Sequence, residues 1–294
     1  MGSKVLQGTY DTGSPAENFA MGMFGFMQGI TDQIGTLEEV VADVAYMKIL
    51  MVNICFLGSE GSDGKWVLID TGLPDSAEVI VEAAEDRFSG RRPEAIVLTH
   101  GHFDHVGSVI ELAKRWNVPV YAHEKELPYL TGKVNYLPPD PSVDTGMMAK
   151  LAPLYPHAAI NLGSYIHALP TEGSLPGMSG WRWLHTPGHT EGHISLFRDS
   201  DRILLAGDAF TTVKQESVIA VISQDKEVNG PPKYFTTDWQ SAWQSVKKLE
   251  GLKPSAVVTG HGMALRGDTL SKELQKLARH FDELAIPRQG RYLH

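Results

Sequence analysis

The sequence predicts an α/β fold, a sheet covered by helices, on three observations. Short apolar runs of buried-strand type recur along the chain, as in Ala95-Ile96-Val97-Leu98, Arg202-Ile203-Leu204-Leu205-Ala206 and Ala256-Val257-Val258-Thr259. Segments with apolar residues at helical spacing lie between them, giving a strand, helix, strand order. Several of the runs end, at their carboxyl side, in residues that bind metals. Open α/β sheets place their ligand sites at that edge.

Composition narrows the field. The chain has 294 residues, 42% of them hydrophobic, and a net charge of −9. That is ample for one large domain. Nucleic-acid surfaces need clustered Lys and Arg, which an acidic chain does not favour. The one cysteine, Cys55, lies in the apolar run Val52 to Leu57 and reads as core, with no disulfide framework. No signal peptide is recognised and no apolar run reaches transmembrane length, so the expectation is a cytoplasmic protein without a membrane partner.

Residues 1–35 form a Met- and Phe-rich arm, with Phe24 and Phe26 among glycines that disfavour an isolated helix. The arm either packs on the domain or a second subunit, or serves as a flap lining an apolar substrate pocket. Residues 36–294 read as a single domain. Ala45 to Asp70 is a hairpin: one strand or two over Met47 to Phe56, a Gly-rich turn, and a return strand Trp66 to Ile69. Asp70, at its end, either fixes a histidine tautomer beside a metal or caps a loop. Ser76 caps a helix to Phe88.

Next comes Thr99-His100-Gly101-His102-Phe103-Asp104-His105-Val106-Gly107. His100 and His102 alternate at the end of an extended segment and point to one side. Asp104 and His105 follow where the chain bends toward a helix over Gly107 to Trp116. The pattern suits two adjacent metal positions. Imidazole and carboxylate without thiolate favour zinc, with iron, manganese or cobalt as alternatives. Val118 to Ala122 is a further strand, and His123 after it reads as structural.

From about 127 to 180 an insertion rich in proline excludes long elements. It is a lid or pocket wall, with Tyr155 as a lining residue, or else a packing or dimer surface. His157 and His167 within it read as non-ligands. Two strands, Trp181 to Leu184 and Ile194 to Phe197, then flank His185-Thr186-Pro187-Gly188-His189-Thr190-Glu191-Gly192-His193. The Pro187-Gly188 turn projects His189 as the missing ligand of the first metal position. His185 and His193 read as neighbours of the ligands or as core. A lone buried carboxylate is costly, so Asp208 after its apolar strand is read as a bridge between two cations. His261 completes the second position. Phe210 offers apolar lining. Asp238 or Thr237 caps a helix from Gln240 to Leu249. Asp268 to Glu283 reads as one helix.

The set His100-Gly-His102-Phe-Asp104-His105, Thr186-Pro187-Gly188-His189-Thr190, Gly207-Asp208 and Thr259-Gly260-His261-Gly262 resembles the metallo-β-lactamase superfamily of hydrolases. Asp70-Thr71-Gly72 also matches its early strand-end aspartate. The match spans about Ala45 to Arg266. The resemblance implies an αββα sandwich of two mixed β-sheets flanked by helices, with a dinuclear site in the cleft between the sheets. Carried over by position, it implies that His100, His102 and His189 hold one metal, that Asp104, His105 and His261 hold the other, and that Asp208 bridges them. Asp104 and Asp208 are then the catalytic carboxylates, Asp104 also as proton shuttle.

A hydroxide between two such ions is the expected attacking group. The expected substrate is a small molecule with apolar substituents: a lactone, a carboxylic ester or a phosphotriester. Asp208 points away from true lactamases, which generally lack it. Thr211 stands where the well-described lactonases carry a Tyr. The mixed-charge tail departs from the basic glutathione-binding tail of glyoxalase II enzymes. Two alternatives are carried: a mononuclear iron oxidoreductase like the persulfide dioxygenases, and β-lactam or thioester hydrolysis.

Overall fold

The computed structural model describes residues 35–59, 64–144, 146–214 and 227–293. The first sheet runs in chain order: β1 (Leu37–Val41), β2 (Val44–Ile49), β3 (Val52–Leu57), β4 (Val67–Ile69), β5 (Ala95–Val97), β6 (Val120–Ala122) and β7 (Ile166–Ala168). Pairing is antiparallel from β1 to β4 and parallel from β4 to β7. The second sheet holds β8 (Trp181–His185), β9 (Ile194–Arg198), β10 (Ile203–Gly207), β11 (Ala256–Thr259) and β12 (Leu265–Arg266), in the order β12-β11-β10-β9-β8.

The two-residue period of a strand sorts side chains into three cores. On β4 and β5, Val67, Ile69 and Val97 face the second sheet, while Leu68, Ile96 and Leu98 face helices. On β10 and β11, Ile203, Leu205, Ala256 and Val258 face the first sheet, while Leu204, Ala206 and Val257 face the other helices. Every one of these side chains is buried, because at these central strands both faces of the sheet are covered. Helices α1 (Ala77–Phe88) and α3 (Val109–Trp116) cover the first sheet. Helices α6 (Trp239–Gly251) and α7 (Gly267–Arg279) cover the second. The layers are therefore αββα. Between α1 and α3 a one-turn helix, α2 (Phe103–Val106), carries Asp104 and His105.

Several local readings change. Met47 to Phe56 is two strands with a turn at Leu50 and Met51. Ser76 sits at the cap position of α1 without a side-chain cap bond; its own N–H donates to Ser108 Oγ at 3.0 Å. Asp238 does cap α6, accepting from Ser241 N at 2.9 Å. The 127–180 segment contains short helical pieces, α4 (Leu127–Leu130) and α5 (Met147–Leu151), and also supplies β7 to the first sheet. The tail is two helices, α7 and α8 (Phe281–Leu284), broken at His280. Phe24 and Phe26, with nearly all of the Met- and Phe-rich arm, lie outside the described residues. Among the described residues, no helix is long and apolar enough to cross a membrane.

One cross-sheet tie bears on the site. Asn53, in the middle of the sandwich on β3, donates from its amide to Thr259 O at 2.9 Å and Gly262 O at 2.6 Å. Its backbone N–H donates to Gly260 O at 2.7 Å. The first sheet thereby grips the loop that carries His261.

Candidate metal centre

The parallel strands bring the functional side chains to one edge. Asp70 follows β4, His100 and His102 follow β5, Asp208 follows β10, and His261 follows β11. His189 comes over from the loop between β8 and β9. Three overlapping donor groups result: His100, His102 and His189; His100, His105 and Asp208; Asp104, His105 and His261. Within each, the donor atoms lie within 4.8 Å of one another, and all seven residues are buried.

The distances are those of donors around cations. His100 Nε2 stands 3.1 Å from His102 Nδ1, which stands 2.9 Å from His189 Nε2. Asp208 Oδ2 is 3.2 Å from His261 Nε2, 3.5 Å from His189 Nε2 and 3.6 Å from His105 Nε2. Asp104 Oδ2 is 3.5 Å from His261 Nε2. Nitrogen ligands about 2.0–2.1 Å from a tetrahedral ion stand about 3.3 Å apart.

The outer hydrogen bonds fix where the imidazole protons reside. His105 Nδ1 donates to Asp70 Oδ2 at 2.8 Å, and His261 Nδ1 donates to Met51 O at 2.7 Å. The Thr236 hydroxyl gives its proton to Pro232 O, so it accepts from His189 Nδ1 at 3.2 Å. The Thr99 hydroxyl gives its proton to Asp70 Oδ2, so it accepts from His100 Nδ1 at 3.1 Å. Four rings therefore turn bare lone pairs inward. His105 Nε2 and Asp208 Oδ1 are buried with no hydrogen-bond partner among the described residues. Converging lone pairs without protons between them repel; divalent cations remove that repulsion and satisfy the orphaned atoms. The residues fit divalent metal ions.

Electrostatics divides the donors. Burial, reinforced by neighbouring imidazoles, holds His100 and His102 well below the usual histidine range. Burial also takes His189 down to about 3, against the pull of Asp208. Burial acts the same way on His105 and His261, but there the charge of Asp208, with Asp104 and for His105 also Asp70, outweighs it and raises both. Burial would raise the Asp208 carboxyl; His261 and His105 outweigh it and hold it well below the usual range. Burial raises Asp104.

The structure brings together every residue expected to hold metal, and of the two readings of Asp70 it shows the one behind a histidine, with His105 Nδ1 at 2.8 Å. His193 is buried beside the centre and accepts from Asp208 N at 2.9 Å through Nε2. His185 bonds Glu191 O and stacks on His123 at 4.2 Å, apart from the donor groups. Phe210 is placed elsewhere than expected. It is fully buried in the core under α6 and α7, because the chain after Asp208 turns inward, and it lines no open cleft. Tyr155 packs in a buried cluster with Phe103, Tyr234 and Phe235, where burial, and after it the charge of Asp104, raises its phenol above the usual range. Thr236 and Tyr136 were not anticipated as site residues, nor was Glu126. Thr236 lies just before the cap residues Thr237 and Asp238 and carries no ligand signature of its own; Glu126 sits in the charged run His123-Glu124-Lys125-Glu126, with no partner nearby in the sequence.

A cleft of about 420 Å³ opens onto the His102 and His189 side. Tyr129, Tyr136, Leu137, Pro187 and Phe235 give it apolar walls. Its charged residues are committed to one another or to the fold: Lys125 pairs with Glu191 at 2.7 Å, and Asp238 caps α6.

Comparison with known proteins agrees with this geometry. The family model of the metallo-beta-lactamase superfamily matches residues 48–261. A probable metallo-hydrolase of Bacillus subtilis (strain 168), YflN, is 45% identical over 247 residues, covering 84% of this chain and 94% of that protein. Among solved structures, TTHA1623 in a di-iron-bound form is 26% identical with a TM-score of 0.52, over 80% of this chain and 96% of that one. The B3 metallo-beta-lactamase BLEG-1 is 24% identical with a TM-score of 0.53, over 79% and 93%, a likeness of fold alone.

Proposed function

Since the chain belongs to the metallo-β-lactamase superfamily, we propose that it is a two-metal hydrolase of ester-type bonds, acting on uncharged lactones, carboxylic esters or phosphotriesters with apolar substituents. The observation that carries this reading is the double donor set on either side of Asp208, with the protons of four of its five imidazoles turned outward. Two divalent ions there would supply a water of lowered pKa and polarise the attacked oxygen.

The chain's own residues do the rest. Asp208 sets the spacing of the two donor groups. Asp70, Met51 O, Thr236 and Thr99 keep the rings aimed. Asp104, buried in the second donor group and 3.5 Å from His261, is the carboxylate proposed to pass a proton to a leaving group. Phe235 and Tyr136 pack against the His102 ring, at 4.5 and 4.7 Å between centroids, and give the cleft beside it an apolar wall. The neutralised rim supports an uncharged substrate: an anionic one such as a glutathione thioester needs basic groups not already paired. Thr211, which stands in place of the lactonase tyrosine, is buried and donates to Val213 O, so it offers no clamp to a carbonyl oxygen.

The test is metal analysis of the purified protein together with a panel of lactones, aryl esters, phosphotriesters and a glutathione thioester. Two metals per chain and oxygen-independent hydrolysis of the uncharged substrates are expected. One iron per chain with oxygen consumption would overturn the hydrolase reading, and preference for the thioester would overturn the substrate class.

A further inference from the structure

We propose that Glu126 is a positioning residue that holds the His102 and His189 loops at metal-binding distance. The inference rests on the two-metal reading above.

Glu126 is fully buried at the end of a short 3₁₀ turn after β6. Its carboxylate accepts four donors from three separate segments. Oε2 accepts from Gly101 N at 3.0 Å and from the Tyr136 hydroxyl. Oε1 accepts from Thr190 Oγ1 at 2.6 Å and from Gly192 N at 3.1 Å. Gly101 lies between His100 and His102, and Thr190 directly follows His189. One carboxylate thus clamps both loops whose imidazoles approach to 2.9 Å. Tyr136 completes the clamp: it also accepts from Gly101 N at 3.0 Å and sets its ring against His102.

The close approach is built into the sequence. A Cβ on Gly101 would meet the Tyr136 hydroxyl at 2.5 Å, and a Cβ on Gly192 would meet Glu126 Cγ and Oε1 at 2.7 Å. Both positions need glycine for the carboxylate to reach the backbone. Charge supplies a second role. Burial raises the Glu126 carboxyl, but all four partners are donors, which favours the anion. The first metal position has only neutral imidazoles besides the shared Asp208. A buried anion one hydrogen bond from the peptide joining two of its ligands offsets part of the cation's charge.

The test is chelator-competition titration of zinc and cobalt(II) into metal-free protein, wild type against Glu126→Gln. The amide keeps the size but turns an NH2 group toward two donors. Loss of about 10- to 100-fold in affinity is expected at the His100/His102/His189 position. Affinity at the Asp104/His105/His261 position should stay within about threefold, and Glu126→Asp should recover part of the loss. A merely structural role would lower both affinities together, or only the melting temperature of the metal-free protein; either result, or unchanged affinities, overturns the proposal. If Glu126→Gln does not fold, Thr190→Val must show the same selectivity, and equal loss at both positions defeats the idea. Wild-type protein that takes up two metals while the variant behaves identically sinks this inference alone. Wild-type protein that takes up none sinks the two-metal reading beneath it.

Discussion

The two donor groups that flank Asp208 are anchored differently. The Asp104, His105 and His261 side is braced by rigid parts: Asp70 at a strand end and the Met51 carbonyl in the β2–β3 turn. The His100, His102 and His189 side relies more on side chains from loops, Thr236 and Glu126. Charge follows the same division. Imidazoles alone make up the second group, and they are poor places for a proton; the first includes a carboxylate, and its histidines attract positive charge. One half of the centre is built into the sheets, and the other is held in place from outside them. The cleft opens on the loop-held half.

The largest effect should come from the group common to both halves. Asp208→Ala should cut turnover by on the order of 10³ or more and lower metal content at both positions, read by kinetics and elemental analysis. Loss of a single metal with turnover retained would break the idea of a shared carboxylate. Asp70→Asn should come next. Asp70 has a left-handed backbone, φ 60°, which asparagine tolerates, so the variant isolates the lost charge behind His105. Metal affinity at the sheet-built position should fall about 10- to 100-fold, with a smaller loss at the other, because Asp70 also accepts from the Thr99 hydroxyl behind His100. Thr236→Val removes the acceptor behind His189 and should weaken only the loop-held position, by several-fold; the same titration checks it. Smallest of all, Lys125→Ala at the cleft rim should change kcat/KM for uncharged esters less than about threefold, since an exposed ion pair contributes little. A tenfold loss there would show that the rim reads substrate charge.

How much of this was legible in the sequence depended on spacing. His100, His102, Asp208 and His261 were legible because they follow apolar strands, and parallel strands share a carboxyl edge; Asp104, His105 and His189 were legible from the His-rich turns they sit in. Continuous apolar runs on β4, β5, β10 and β11 likewise marked buried strands. The missing parts are those with no local signature. β7 comes from a segment whose prolines obscure it, and β1 is half exposed, so its pattern is weak. Phe210 was misplaced because nearness to Asp208 in sequence says nothing of which way the chain turns. Glu126 and Thr236 were invisible because their partners lie tens of residues away: Thr190 is 64 residues from Glu126, and His189 is 47 from Thr236.

The grip of Asn53 on the His261 loop has a consequence for how the protein matures. During synthesis the turn bearing His105 emerges 156 residues before His261, a delay of roughly 8–30 s. Through that interval the second donor group lacks His261 and cannot be complete. Only when the later sheet has docked and Asn53 has found its carbonyls does the cage close. Selection of the resident ion would therefore fall to the finished molecule, after release from the ribosome.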